Sequence, residues 1–148
     1  RSTLFPYTTL FRSRDLTGRD DMEPKASSND ERIEAMRHLH EQGFKTFASI
    51  EPVIDLVHSE AVIRKSIDCC DHYKIGLRSG VKKDYYDLVE SAGWLDGLPR
   101  LITAAGKTVY LKESTRALMR RCFTDEHYNE ILSRTVDMDG KPIKRTTN

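Results

Sequence analysis

Long apolar runs are what this sequence lacks most. No stretch approaches the roughly 20 consecutive apolar residues that a membrane-spanning helix needs, so the sequence offers no bilayer-crossing helix and no membrane partner. It also lacks a surplus of either charge. With 24 Lys and Arg against 23 Asp and Glu the net charge is +1, and any attraction to nucleic acid or another charged partner must come from local patches. Cysteine is scarce: Cys69, Cys70 and Cys122 are too few and too badly spaced for a disulfide framework, which makes a reducing, cytoplasmic compartment the default expectation. The adjacent Cys69 and Cys70 suit neither a zinc site nor an ordinary disulfide and are expected as small buried hydrophobes at a helix end. What remains is 148 residues, 38% hydrophobic and 32% charged, the composition of one ordinary globular domain.

Residues 1–13 read RSTLFPYTTLFRS. Their apolar pairs are too short for a signal peptide, which needs about 7–15 uninterrupted apolar residues. Thr3–Ser13 instead resembles the one-frame translation of a short-read sequencing adapter, as in metagenomic assemblies. We therefore expect residues 1–13 to be non-native and the natural reading frame to be cut upstream of about Arg14. Residues 14–27 are charged, hold Gly18 and Pro24, and are expected as a loop.

From there the chain alternates. Ser28 and Glu31 form a capping-box pattern, with Ile33, Met36 and Leu39 following and Gly43 closing, which predicts a helix over residues 29–42. A strand is expected over 45–50, a loop over 51–57, a helix capped by Ser59 and running to about Asp68, and a second strand over 72–77. Tyr85, Leu88, Val89 and Ala92 predict a third helix interrupted at Gly93 and resumed through Leu98, Leu101, Ile102 and Ala105, with Gly106 as its left-handed cap. A third strand is expected over 108–112, then a helix on Thr115, Leu118, Met119 and Cys122, a weaker helix over 125–133, and a loose tail after Thr135 with an Asp139–Gly140 turn. This is an α/β pattern of three parallel strands joined by helical crossovers. It amounts to about half of a typical (β/α) barrel of roughly 250 residues.

Side chains alternate across a strand. Thr46, Ala48 and Ile50, Tyr73, Ile75 and Leu77, and Val109 and Leu111 form an apolar set suited to packing under helices. The opposite set is Phe47, Ser49 and Glu51, His72, Lys74 and Gly76, and Thr108, Tyr110 and Lys112. Glu51, Lys74 and Lys112 thus fall near the strands' C-terminal ends, where parallel α/β folds bind ligands. They are either a ligand site or an ion-pair cluster of Glu51 with Lys74 or Lys112.

Three further groupings carry weaker chemistry. Glu51, Asp55 and His58 could be metal ligands of a barrel hydrolase or isomerase, although Asp55 can equally cap the following turn. Gly76–Gly80 with Lys82 and Lys83 could hold phosphate as part of a non-catalytic α/β module for phosphate or nucleic acid, or be a solvated loop. His38 and His40, two apart on a helix, are expected to face solvent, and His127 has no partner group in the sequence.

Glu31–Asp55 (ERIEAMRHLHEQGFKTFASIEPVID), Cys70–Gly76 (CDHYKIG) and Val109–Ser114 (VYLKES) together resemble the C-terminal half of a radical S-adenosylmethionine protein, in the group related to spore photoproduct lyase. The resemblance covers about Glu31–Arg116. It implies a six-stranded partial barrel of which these are the last three strands, with residues 28–122 as the half-barrel and 123–148 as a C-terminal helix and tail. It implies S-adenosylmethionine as a small-molecule cofactor and a 4Fe–4S cluster in the parent enzyme, with nucleic acid as a possible substrate. By strand count it places Ser49 and Glu51, Lys74 and Gly76, and Tyr110 and Lys112 at the cofactor. The family's CxxxCxxC cluster motif is not in this sequence, so the chain by itself is expected to hold neither group stably and to be inactive. No catalytic residue and no metal ligand is assigned.

Overall fold

A computed structural model describes Leu10–Phe11 and residues 27–143 of the chain. The adapter-like segment lies outside the described residues apart from Leu10–Phe11, as do residues 14–26 of the expected loop and 144–148 of the tail. The elements run β1 (Leu10–Phe11), α1 (Asn29–Glu41), β2 (Phe47–Val53), α2 (Leu56–Ser66), β3 (His72–Leu77), α3 (Leu88–Ala104), β4 (Thr108–Leu111), α4 (Glu113–Cys122) and α5 (Asp125–Leu132). The sheet is parallel throughout, in the order β1-β2-β3-β4, so that β2, β3 and β4 alternate with helices and neighbour each other in chain order.

The first helix starts where the capping box puts it: the Glu31 N–H donates to Ser28 Oγ at 3.2 Å and the Ser28 N–H donates to Glu31 Oε2 at 2.8 Å. Gly43 follows its end with φ +85°, a conformation that costs glycine little. The second strand differs from the expectation. It runs through Glu51 and Pro52 to Val53, with a cis Glu51–Pro52 bond and a register shift against β3 between Ile50 and Val53. Proline has no N–H for the ladder, and the shift lets pairing resume at Val53 opposite Leu77.

Asp55, not Ser59, caps α2; its carboxylate accepts the His58 N–H at 2.8 Å. Ser59 lies inside that helix and is fully buried. Nor does α3 break at Gly93. It begins after the Asp87 cap, leaving Tyr85 outside, and carries Gly93, Gly97 and Pro99 without interruption. Glycine costs a helix about 1 kcal/mol relative to alanine. Burial of Trp94, Leu95, Leu98 and Ile102 on one stripe offsets that. Gly106 takes φ +74° and ends the helix as expected.

The strand before α4 stops at Leu111, and Lys112 becomes that helix's N-cap residue. The tail to Ile143 is held rather than loose. Val136 donates to the Val109 carbonyl at 2.9 Å and bridges Pro142, and Thr135 and Val136 are buried. The Asp139–Gly140 turn is present, with Gly140 at φ +77°.

Ala48, Ile50, Tyr73, Ile75, Val109 and Leu111 are each at most 1% exposed and make one core with Met36, Ile63, Leu95, Ile102 and Met119 from the helices. One face of the sheet is therefore covered by helices. At roughly 1.5–3 kcal/mol per buried aliphatic side chain, this layer is the main source of stability. Cys69 and Cys70 lie at the end of the α2 connection, 1% and 0% exposed, as the small hydrophobes expected. No helix among the described residues is long and apolar enough to cross a membrane.

Candidate functional site

The opposite face carries three cross-strand rows. At the N-terminal ends Phe47, His72 and Thr108 stand in register; in the middle Ser49, Lys74 and Tyr110; beyond them Glu51, Gly76 and Lys112 approach one another. The parallel register brings the six resemblance-derived residues onto one surface. Most of it is only half-buried, but Ser49 is 3% exposed.

In the first row the Phe47 and His72 rings stack with centroids 5.5 Å apart and planes 16° from parallel. His72 Nδ1 lies 2.8 Å from the Thr108 hydroxyl. Burial pushes the imidazole pKa down and keeps the ring neutral at pH 7. In the middle row the Arg116 guanidinium covers the Tyr110 ring at 5.5 Å, and its Nε donates to the Leu111 carbonyl at 2.7 Å. Arg116 follows the last family-like phrase, and a cation six residues after Tyr110 gave no signal in the sequence. Only the strand-to-helix turn folds it back.

The third row is ionic. Lys112 Nζ donates to Glu51 Oε1, and Lys74 Nζ lies 3.7 Å from Glu51 Oε2. A Cβ on Gly76 would come 2.9 Å from Lys112 Cδ and 3.1 Å from Glu51 Cγ and Cδ. Glycine lets the ion pair cross directly over β3, and that is the reason for its place in this row. The ion-pair cluster expected from the sequence is present with both lysines. The hydroxyls of Ser114 and Thr115 tie the start of α4 to β3, accepting the Leu77 N–H at 3.1 Å and donating to the Ile75 carbonyl at 3.0 Å.

The other groupings fare differently. Asp55 and His58 are paired, Oδ1 to Nδ1 at 2.7 Å, whereas Glu51 is engaged with the lysines. Burial opposes ionisation of Asp55, but its hydrogen bonds to His58 outweigh burial and hold the carboxyl below its ordinary value. Among the described residues no group of three His, Cys, Asp or Glu is placed to hold a metal ion. Arg78, Ser79, Gly80, Lys82 and Lys83 are exposed, and the Arg78 N–H is taken by the Tyr86 hydroxyl at 2.9 Å.

Two histidines depart from expectation. His40 turns toward Asp71, Nδ1 to Oδ2 3.4 Å, because Asp71 opens β3 directly behind the end of α1. His127 has partners from α3: its Nε2 lies 3.0 Å from Asp96 Oδ1, and Arg100 bridges Asp96 and Glu130 at 3.1 and 3.5 Å. Contacts between α3 and α5, remote in sequence, carry no pattern a single chain can show.

No protein-family model matches the chain, and no solved structure matches it. An uncharacterized protein of Methanocaldococcus jannaschii is 46% identical over 44 residues, 29% of this chain. The aligned stretch spans 17% of that protein's length.

Proposed function

We propose that this chain is the C-terminal wall of a six-stranded radical S-adenosylmethionine barrel. The supporting observation is the Glu51–Lys112 pair crossing Gly76, with Lys74 beside it, at the strands' C-terminal ends on the face opposite the helix-covered core. A single-layered run of parallel strands in chain order, with helices on one side, is the architecture of a barrel wall. The three family-like phrases fall on α1 with β2, on β3, and on β4 with its turn into α4.

The donor set suits the polar part of S-adenosylmethionine. A carboxylate at Glu51 accepts hydrogen bonds from hydroxyl or ammonium groups, and Lys74 and Lys112 offer ammonium donors to a carboxylate. Bound there, the cofactor supplies the radical-generating chemistry of this enzyme class. The residues of this chain bind and orient: Gly76 lets the Glu51–Lys112 pair lie across β3, Tyr110 with Arg116 over its ring stands in the next row, and Ser49 lines the floor.

The iron–sulfur cluster does not fit the residues present. Burial pushes the Cys69 and Cys70 thiols up to about 11 and about 12, so neither offers a thiolate, and Cys122 stands alone on α4. In this proposal the cluster ligands belong to a further part of a cytoplasmic parent enzyme, and the chain alone is inactive.

The test is equilibrium binding of S-adenosylmethionine to a full-length homologue. Replacing the residues matching Glu51 and Lys112 by alanine should each weaken binding on the order of tenfold, as loss of a charge-assisted hydrogen bond does. Unchanged binding in both variants sinks the reading.

A further inference from the structure

The third row does not balance. Two ammonium groups, Lys74 and Lys112, converge on one carboxylate, and among the described residues neither lysine has another acidic partner. The Glu51 carboxylate stands between them as a bound anion would, one oxygen toward each cation. The three side chains are 30–34% exposed, which leaves the cluster open to a solute. Their support is a glycine whose missing side chain is what lets Glu51 and Lys112 meet.

We propose that Lys74 and Lys112 form a phosphate-binding site and that Glu51 is its internal latch, occupying the site until a phosphate group displaces it. Charge decides which anion gains by the exchange. A ligand carboxylate only repeats the single charge that Glu51 already provides. A phosphate group, with a charge of about −1.5 to −2 near pH 7, neutralises both lysines. Glu51 is free to leave because its contacts to the cluster are made by the far end of a flexible side chain. The site shares residues with the cofactor surface proposed above, but stands on the charge count and requires no S-adenosylmethionine.

The 148-residue chain is titrated with inorganic phosphate and, separately, with acetate at constant ionic strength, by calorimetry or by chemical shifts. Glu51→Gln removes the competing charge a few ångströms from the bound anion and should raise phosphate affinity on the order of tenfold. Glu51→Ala, which removes the latch's carboxyl group outright, should raise it as well. Lys112→Ala should abolish binding in either background, and acetate should gain little from any variant. No rise in either latch variant, phosphate binding that survives Lys112→Ala, or an equal gain for acetate overturns the proposal. Should Glu51→Gln fail to fold, Glu51→Ala and Lys112→Ala in the otherwise native chain decide by the same titration. Cofactor binding in the homologue is read separately, so the latch can fail while the cofactor reading stands.

Discussion

Asp71→Asn should destabilise the chain at neutral pH and lose most of that effect in acid. Asp71 sits at the N-terminal end of β3, where its Oδ2 accepts the Thr46 N–H at 2.9 Å and lies 3.4 Å from His40 Nδ1. Lys45 and Lys107 approach its other oxygen at 3.7 and 3.8 Å. Burial opposes ionisation here, but the Thr46 hydrogen bond and the surrounding cations outweigh it and hold the carboxyl below its ordinary value. Asparagine keeps an acceptor for Thr46 but loses the charge and turns an amide NH2 in place of Oδ1 toward Lys45 and Lys107. The difference between a charge-assisted and a neutral hydrogen bond is about 1 kcal/mol. Lys107, 16% exposed, adds up to about 1 more, while Lys45, 73% exposed, adds little. The loss at pH 7 should be about 1–2 kcal/mol, which at a urea slope of about 2 kcal/mol/M moves the midpoint by roughly 0.5–1 M. Because the folded pKa is depressed, the carboxylate's contribution is complete above the unfolded value of about 3.9 and disappears as pH falls through the folded one. Urea unfolding followed by fluorescence of the single tryptophan, Trp94, 7% exposed, reads both conditions. A gap as large at pH 3 as at pH 7, or no gap at pH 7, refutes the electrostatic reasoning.

Tyr73→Phe should cost about 1 kcal/mol in the same urea assay. Its fully buried hydroxyl meets Ser66 Oγ at 2.8 Å and donates to the Ile63 carbonyl at 3.3 Å, which fastens β3 to α2; a stability equal to the parent's would show that the network contributes nothing. Thiol labelling at pH 8 should modify half-buried Cys122 first, with Cys69 and Cys70 reacting only as fast as the chain unfolds. Three thiols labelled together in native buffer would contradict their burial. Gly106→Ala should lower the melting temperature by several degrees, since φ +74° costs alanine about 1 kcal/mol; an unshifted melt would mean that the turn relaxes.

The sheet was legible because period-two alternation holds through the first four residues of β3: Tyr73 and Ile75 are buried while His72 and Lys74 are half-exposed, and it gives way at Gly76 and, in β2, at Ser49, both of which are buried. The Ser28–Glu31 box and Gly106 were legible because each satisfies a local rule without help from distant residues. The misses share one cause. Pro52 and Gly93 read as interruptions on local grounds, yet pairing of Val53 with Leu77 and burial of Trp94 through Ile102 carry the strand and the helix past them. Ser59 and Asp55 are both plausible caps, and only the burial of Ser59 settles the choice. Within the site, alternation placed Glu51, Lys74 and Lys112 on one face. The closeness of the pair over Gly76 and the covering of Tyr110 by Arg116 depend on the strand-to-helix turn, which no spacing encodes.

The two ends of the strands use charge for opposite purposes. At the N-terminal end Asp71 gathers Thr46, His40, Lys45 and Lys107 around one carboxylate whose side chain is 19% exposed, and holds the strand starts to α1. Disturbing it should cost stability and nothing else. At the C-terminal end Glu51, Lys74 and Lys112 are more exposed, carry a surplus positive charge and rest on a glycine. An open ion pair of this kind adds little to stability, and Pro52 next to Glu51 gives no ladder donor to compensate. The proposed binding role therefore requires that these residues, which converge on one point from β2, β3 and the turn after β4, contribute little to folding. A pair of double-mutant cycles in urea separates the two cases: Thr46, whose hydroxyl lies 3.2 Å from Asp71 Oδ2, should couple with Asp71 in unfolding free energy, whereas the Glu51–Lys112 unfolding term should stay below about 1 kcal/mol. Strong coupling of Glu51 and Lys112 in unfolding would make the C-terminal row a structural clamp like the first.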